Sequence, residues 1–181
     1  MGMPARHYYT AADLLALPDD GNKYEVVHGE LLVSPGPRPL HQLVLGRLDR
    51  LIGTYLDGHP VGVCFPGGDI SWFEDTLVIP DLLVAEMTEA CTLSWNRMRT
   101  LLLVVEILSP SSTRPDRFTK RRLYQEVGVP LYWLVDADAK TFEIWTPESL
   151  FPTTEREEVL WHPAGADTPL VVSLEELFRA P

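Results

Sequence analysis

The run Leu101-Leu-Leu-Val-Val-Glu-Ile-Leu108 carries a single acid in an otherwise apolar stretch. Eight such residues are too few to span a membrane, and they suit a strand covered on both faces, so Glu106 is expected in the interior. A second acid, Asp81, sits inside Ile79-Pro-Asp-Leu-Leu-Val84. Burying a lone carboxylate is costly, so such a group is protonated, paired with a base or bound to a metal. Two acids on strands that can be neighbours suggest a shared cation. Hard carboxylate oxygens without a nearby His/Cys cluster favour Mg²⁺ or Mn²⁺ over zinc. The plainer alternative is that each acid pairs with an arginine or caps a loop.

Around these strands the chain reads as a mixed α/β (α+β) fold. Thr10-Ala-Ala-Asp13 starts a short helix that Pro18 to Gly21 stops. Lys23 to Val27 and Glu30 to Ser34 form a hairpin turning at His28-Gly29. After the corner Pro35-Gly-Pro-Arg-Pro39, apolar residues from Leu40 to Tyr55 recur every three or four positions, which predicts a long amphipathic helix ending near Gly58. Val61 to Phe65, Asp69 to Phe73 and Leu77 to Ala85 read as three strands. Thr113 opens a helix with Asp116 as its capping-box acid, and Gly128 closes it. Leu131 to Val135 pairs with Thr141 to Trp145, and the tail offers Val159 to Trp161, Leu170 to Val172 and a helix at Leu174 to Phe178. No linker or repeat divides residues 1–181, so one domain is expected.

Composition removes several functions. With 15 basic and 26 acidic residues the formal net charge is −11, so a broad, sequence-blind grip on DNA is excluded and any contact with nucleic acid has to be local or metal-mediated. Cys64 and Cys91 make no disulfide framework, no apolar secretory region opens the chain and no run spans a membrane, which points to the cytoplasm. There is no phosphate-loop motif, no G-x-S-x-G elbow around Ser109, Ser111 or Ser112, and no zinc spacing among the five histidines. Tyr132, Trp133 and Trp145 suit core packing better than base stacking. Asp116, Lys120 and Tyr124 share one helix face, and on spacing alone Asp116–Lys120 reads as a solvated surface pair. Glu30 is divided between a metal-reaching acid and a solvated strand residue. His41, at the edge of the long helix's apolar stripe, reads as a packed or loop-bonding histidine.

Pro80-Asp81 followed by Glu106-Ile-Leu108 resembles the bipartite PD-(D/E)XK nuclease signature. More specifically, Tyr24 to Glu30, His41 after a proline-rich corner, Val105-Glu-Ile-Leu-Ser-Pro-Ser-Ser-Thr113, Asp116, Lys120, Tyr124, Gly128-Val129 and Tyr132 to Asp136 are similar to the Uma-type restriction-endonuclease family. The resemblance covers Thr10 to Trp145. It implies a restriction-endonuclease-like core with flanking helices and an N-terminal hairpin. The implied activity is hydrolysis of DNA phosphodiester bonds with Mg²⁺ (or Mn²⁺) held by Asp81, Glu106 and the Ile107 carbonyl. Leu108 stands where E-x-K keeps its lysine, so the resemblance implies a lysine migrated to the next helix, Lys120, as the catalytic cation. Leu131 also departs from the acid that members often carry before Tyr132-Trp133. Cutting both strands of a duplex needs two sites, so a homodimer is expected. The rival reading is a catalytically silent nuclease-fold interaction or regulatory module, to which the −11 charge lends support.

Overall fold

A computed structural model describes residues 7–109 and 112–181. Pro110 and Ser111 of the Ser109-to-Ser112 loop, and residues 1–6 of the start, lie outside the described residues. The Thr10 capping box forms, but on a 3₁₀ turn, Ala11–Ala16. The hairpin follows as β1 (Lys23–Val27) and β2 (Glu30–Ser34). His28 (φ 47°) and Gly29 (φ 77°) both take left-handed backbone, the pattern of a tight two-residue hairpin turn. Pro39 then opens helix α1 (Pro39–Gly58), where a missing N–H costs nothing.

Next come β3 (Gly62–Phe65), β4 (Ile70–Phe73), β5 (Thr76–Val78) and β6 (Leu82–Glu86). The reading of Leu77 to Ala85 as one strand is corrected here. Pro80 cannot donate to a ladder. The chain leaves one sheet at Ile79, turns through Pro80-Asp81 and enters another. A short helix α2 (Met87–Ala90) precedes β7 (Leu101–Ile107), the strand expected from the apolar run. The crossover is a π-helical turn, Pro115–Lys120, continuing as α3 (Arg121–Glu126). Asp116 is not its capping acid: its carboxylate turns inward to Lys120. Gly128 (φ 74°) closes the helix as expected. The remainder is β8 (Tyr132–Asp136), β9 (Thr141–Trp145), β10 (Thr153–Glu155), β11 (Glu158–Trp161), β12 (Leu170–Ser173) and α4 (Leu174–Leu177).

Six strands form the main sheet in the order β10-β9-β8-β7-β6-β3, with β7 and β8 parallel and the other neighbours antiparallel. A second sheet, β2-β1-β5-β4, carries the hairpin. On one face of the main sheet, Val44, Leu48, Ile52 and Leu56 of α1 pack on Leu82, Val84, Leu103, Val105 and Trp133. On the other, Leu83, Val104, Leu108 and Leu134 meet Leu123 and Tyr124 of α3 and Val27, Leu32 and Val78 of the second sheet. With both faces covered, β7 has no reason to alternate. Glu106 shares its strand face with Val104 and so looks toward the hairpin and α3. Tyr132, Trp133 and Trp145 are core residues. Among the described residues no helix is long and apolar enough to cross a membrane. Because Leu48 is wholly buried, Leu48→Ala should lower the unfolding free energy by about 2–5 kcal/mol. Leu51→Ala on the solvent side, 39% exposed, should cost ~0.5 kcal/mol or less, both read by urea denaturation.

Candidate active site

Four separate segments deliver charged side chains to one place. β1 contributes Lys23 and Glu25, the Pro80 corner Asp81, β7 Glu106, and the π-helical turn Asp116 and Lys120. Asp116 and Lys120, four residues apart, share the inward face of that turn, and both are 1% exposed. The Lys120 ammonium lies 2.7 Å from Glu25 Oε2, 3.0 Å from Glu106 Oε1 and 3.2 Å from Asp116 Oδ1. Tyr124 donates its hydroxyl to the same Glu106 oxygen at 3.4 Å, and the Ile79 N–H donates to Glu25 Oε1 at 2.8 Å. This is a closed, three-carboxylate nest around one lysine.

In front of it opens a cavity of about 360 Å³ lined by Lys23, His41, Asp81, Glu106, Ile107 and Ser112, among others. Asp81 is fixed from two sides: the Ile107 N–H donates to Oδ2 at 2.8 Å, and His41 Nε2 stands 3.5 Å from that oxygen. Lys23 Nζ donates to the Ile79 carbonyl at 3.1 Å and lies 3.4 Å from Asp81 Oδ1 and 4.0 Å from Glu106 Oε2. Its side chain is 26% exposed, so it is the lysine open to the cavity, whereas Lys120 lies behind Glu106 and is not in the cavity wall.

The acids singled out in the sequence, Asp81 and Glu106, thus come together, with Ile107 beside them. Lys120 touches Glu106 but from the protein side. The surface-pair reading of Asp116–Lys120 is overturned by burial. His41 is buried, as a packed residue would be, yet it faces Asp81 and the cavity. Glu30 is exposed and lies elsewhere, in a groove with Arg114 and Arg122. Glu25 and Lys23 were missed as site residues. Glu25 carries the same signal as Glu106, an acid beside apolar Val26 and Val27, but in a hairpin that also holds Lys23 and Glu30 it reads as a solvent face.

The family model described as "Putative restriction endonuclease", Uma2, matches residues 11–175. The chain belongs to the Uma2 family. Its fold is similar to that in the crystal structure of a "putative nuclease belonging to DUF820" from Anabaena variabilis, at a TM-score of 0.75 and 22% identity, over 94% of this chain and 97% of that one. Comparison with curated proteins gives no significant match. The span matched by the Uma2 model includes every charged residue of the cluster.

Within this Uma2 site four carboxyl groups face two ammoniums. Burial raises the Glu106 carboxyl well above its ordinary range, opposed by Lys120 and Lys23 and reinforced by Asp81 and Asp116. Asp116 is raised for the same reason, burial, against the pull of Lys120. Burial also presses on Asp81, but the His41 hydrogen bond, the Lys23 charge and the Ile107 N–H outweigh it, holding Asp81 below the ordinary carboxylate range. Desolvation alone would discharge Lys120; Glu106, Glu25 and Asp116 keep it a cation far above the usual lysine range.

A divalent cation fits this donor set. Asp81 and Glu106 offer hard oxygens to the cavity. Among the described residues no three His, Cys, Asp or Glu side chains are arranged to hold a metal on their own. Removing the ammonium at the centre of the nest leaves three buried acids uncompensated, so Lys120→Met should destabilise the fold by about 3–5 kcal/mol in chemical denaturation. A loss below ~1 kcal/mol would mean that the nest does not hold the fold.

Proposed function

We propose that this chain is a metal-dependent nuclease that hydrolyses phosphodiester bonds of DNA, with Mg²⁺ or Mn²⁺ held by Asp81 and Glu106. The observation that carries the reading is the convergence of these two carboxylates, from the Pro80 corner and from β7, on one wall of an open cavity that also presents a lysine. When bound, the ion supplies Lewis acidity toward a phosphoryl oxygen. The chain's own residues do the rest. Ile107 N–H and His41 set the Asp81 carboxylate, and Lys120 with Tyr124 sets Glu106. The Ile107 carbonyl is the third ligand that the family resemblance implies.

Two lysines divide the role that E-x-K gives to one. Lys120, the residue implied by the resemblance, acts through Glu106 as its charge clamp. Lys23 is placed to reach a phosphate oxygen or an attacking water, where a fixed cation stabilises the charge that develops in the transition state. Cleavage of both duplex strands would take two copies, and a homodimer belongs to this proposal. Edge strand β10, with Leu150 and Phe151 exposed just before it, is an available surface.

Calorimetry with Mn²⁺ and a plasmid-cleavage assay test the reading together. Wild type should bind Mn²⁺, and Asp81→Asn and Glu106→Gln should abolish both binding and cleavage. Lys23→Met should keep Mn²⁺ binding while slowing cleavage ~10²-fold or more. Equal Mn²⁺ binding by wild type and both acid variants would instead favour the catalytically silent module.

A further inference from the structure

In a chain of charge −11 the distribution of positive charge matters more than its total. Five of the fifteen basic residues fall between 114 and 122: Arg114, Arg117, Lys120, Arg121 and Arg122. Three of them are engaged. Lys120 lies in the nest, Arg117 binds Glu143 at 2.6 Å, and Arg121 bonds Gln125 Oε1 at 2.7 Å and stacks over Trp145 at 4.7 Å. Arg114 and Arg122 are exposed, and neither has an ion pair among the described residues. The acid one turn beyond Arg122, Glu126, is taken by His28 at 2.7 Å.

The two guanidiniums flank Phe118 at intervals of four residues, and all three line a groove of about 660 Å³ between the crossover helix and β2. Phe118 is 54% exposed there, a large apolar ring held at the surface between two cations. Glu30 is the carboxylate on the opposite wall. Two chain segments run from this groove to the cavity in front of the nest. Leu32 of β2 lines the groove and Ser34 the cavity; Ser112 lines the cavity and Arg114 the groove. Two strand residues amount to roughly 7 Å, close enough for one strand to cross both.

We infer that the Arg114–Phe118–Arg122 groove binds the unpaired nucleic-acid strand that flanks the scissile phosphate, with the arginines on phosphates and Phe118 stacked on a base. This inference rests on the nuclease reading and names the substrate's form. Arg114 and Arg122 lie about two turns apart on the crossover helix, so they meet different phosphates of one strand. An aromatic ring stacks on a base only where that base's face is free, which a paired duplex does not offer along its length. The arrangement therefore selects a single strand, or a locally opened one, over an intact duplex.

Fluorescence anisotropy in EDTA isolates the groove, because neither metal nor cleavage enters the measurement. A labelled single-stranded oligonucleotide of about 20 residues and its duplex are titrated with the full chain. Wild type should bind the single strand more tightly. Arg114→Ala with Arg122→Ala should weaken it tenfold or more and reduce the salt slope by about 1.4, the release expected for two phosphates of a single strand. Phe118→Ala should weaken single-strand binding roughly tenfold with little effect on the duplex, and Phe118→Trp should restore it.

Several results overturn the inference. They are no single-strand binding by wild type at roughly 100 µM, an unchanged isotherm in the double arginine variant, or an equal loss from Arg50→Ala with Arg156→Ala elsewhere on the surface. An equal effect of Phe118→Ala on both substrates does so as well. Failure of the nuclease reading would show instead in Mn²⁺ binding and cleavage, and would leave these isotherms as they are.

Discussion

A lysine ammonium buried among three carboxylates is the contact on which the rest of this structure depends. A lone buried charge is strongly destabilising, and partners have to be supplied with good geometry. Lys120 meets Glu25, Glu106 and Asp116 at 2.7 to 3.2 Å, and these acids come from the hairpin, the central strand and its own helical turn. Satisfying that one cation therefore ties the smaller sheet to the larger and fixes how the crossover helix lies on them. An ordinary Asp–Lys pair at i, i+4 is worth a few tenths of a kcal/mol on a surface, whereas here both partners turn inward to join a nest.

The same contact organises the chemistry in two layers. Behind Glu106, Lys120 and Tyr124 hold the carboxylate from the protein interior. In front, Lys23, Asp81 and His41 surround the face that opens to the cavity. Asp81 reaches that face because the chain breaks at Pro80, in passing from β5 of one sheet to β6 of the other. The structural need for a sheet change and the placement of a site acid are thus met by the same three residues, Ile79 to Asp81.

What the sequence made legible follows from contrast. Glu106 and Asp81 stand out because their neighbours are apolar. The hairpin, α1, β7 and the β8–β9 pair follow from turn chemistry and periodicity. Glu25 and Lys23 stayed hidden because a hairpin with alternating polar residues looks half-solvated, and nothing local shows that a second sheet edge and a helix cover it. The burial of Lys120 was also illegible, since i, i+4 spacing carries no information about what packs above it; only the family resemblance singled it out. His41 is buried, as its place at the edge of the apolar stripe implies, but its approach to Asp81 depends on the long-range fit of α1 against the Pro80 corner. The three-residue strand β10 lacks any apolar pattern and forms because β9 offers an edge.

We propose that one divalent cation sits between Asp81 and Glu106, in front of a lysine-clamped acid nest. Anomalous diffraction from a crystal soaked in Mn²⁺ tests it before any substrate is known. One strong peak is expected within about 2.0–2.4 Å of a carboxylate oxygen of each residue, with Lys120 still seated on the far side of Glu106. A peak elsewhere, or none at the two carboxylates at full soak, would contradict it.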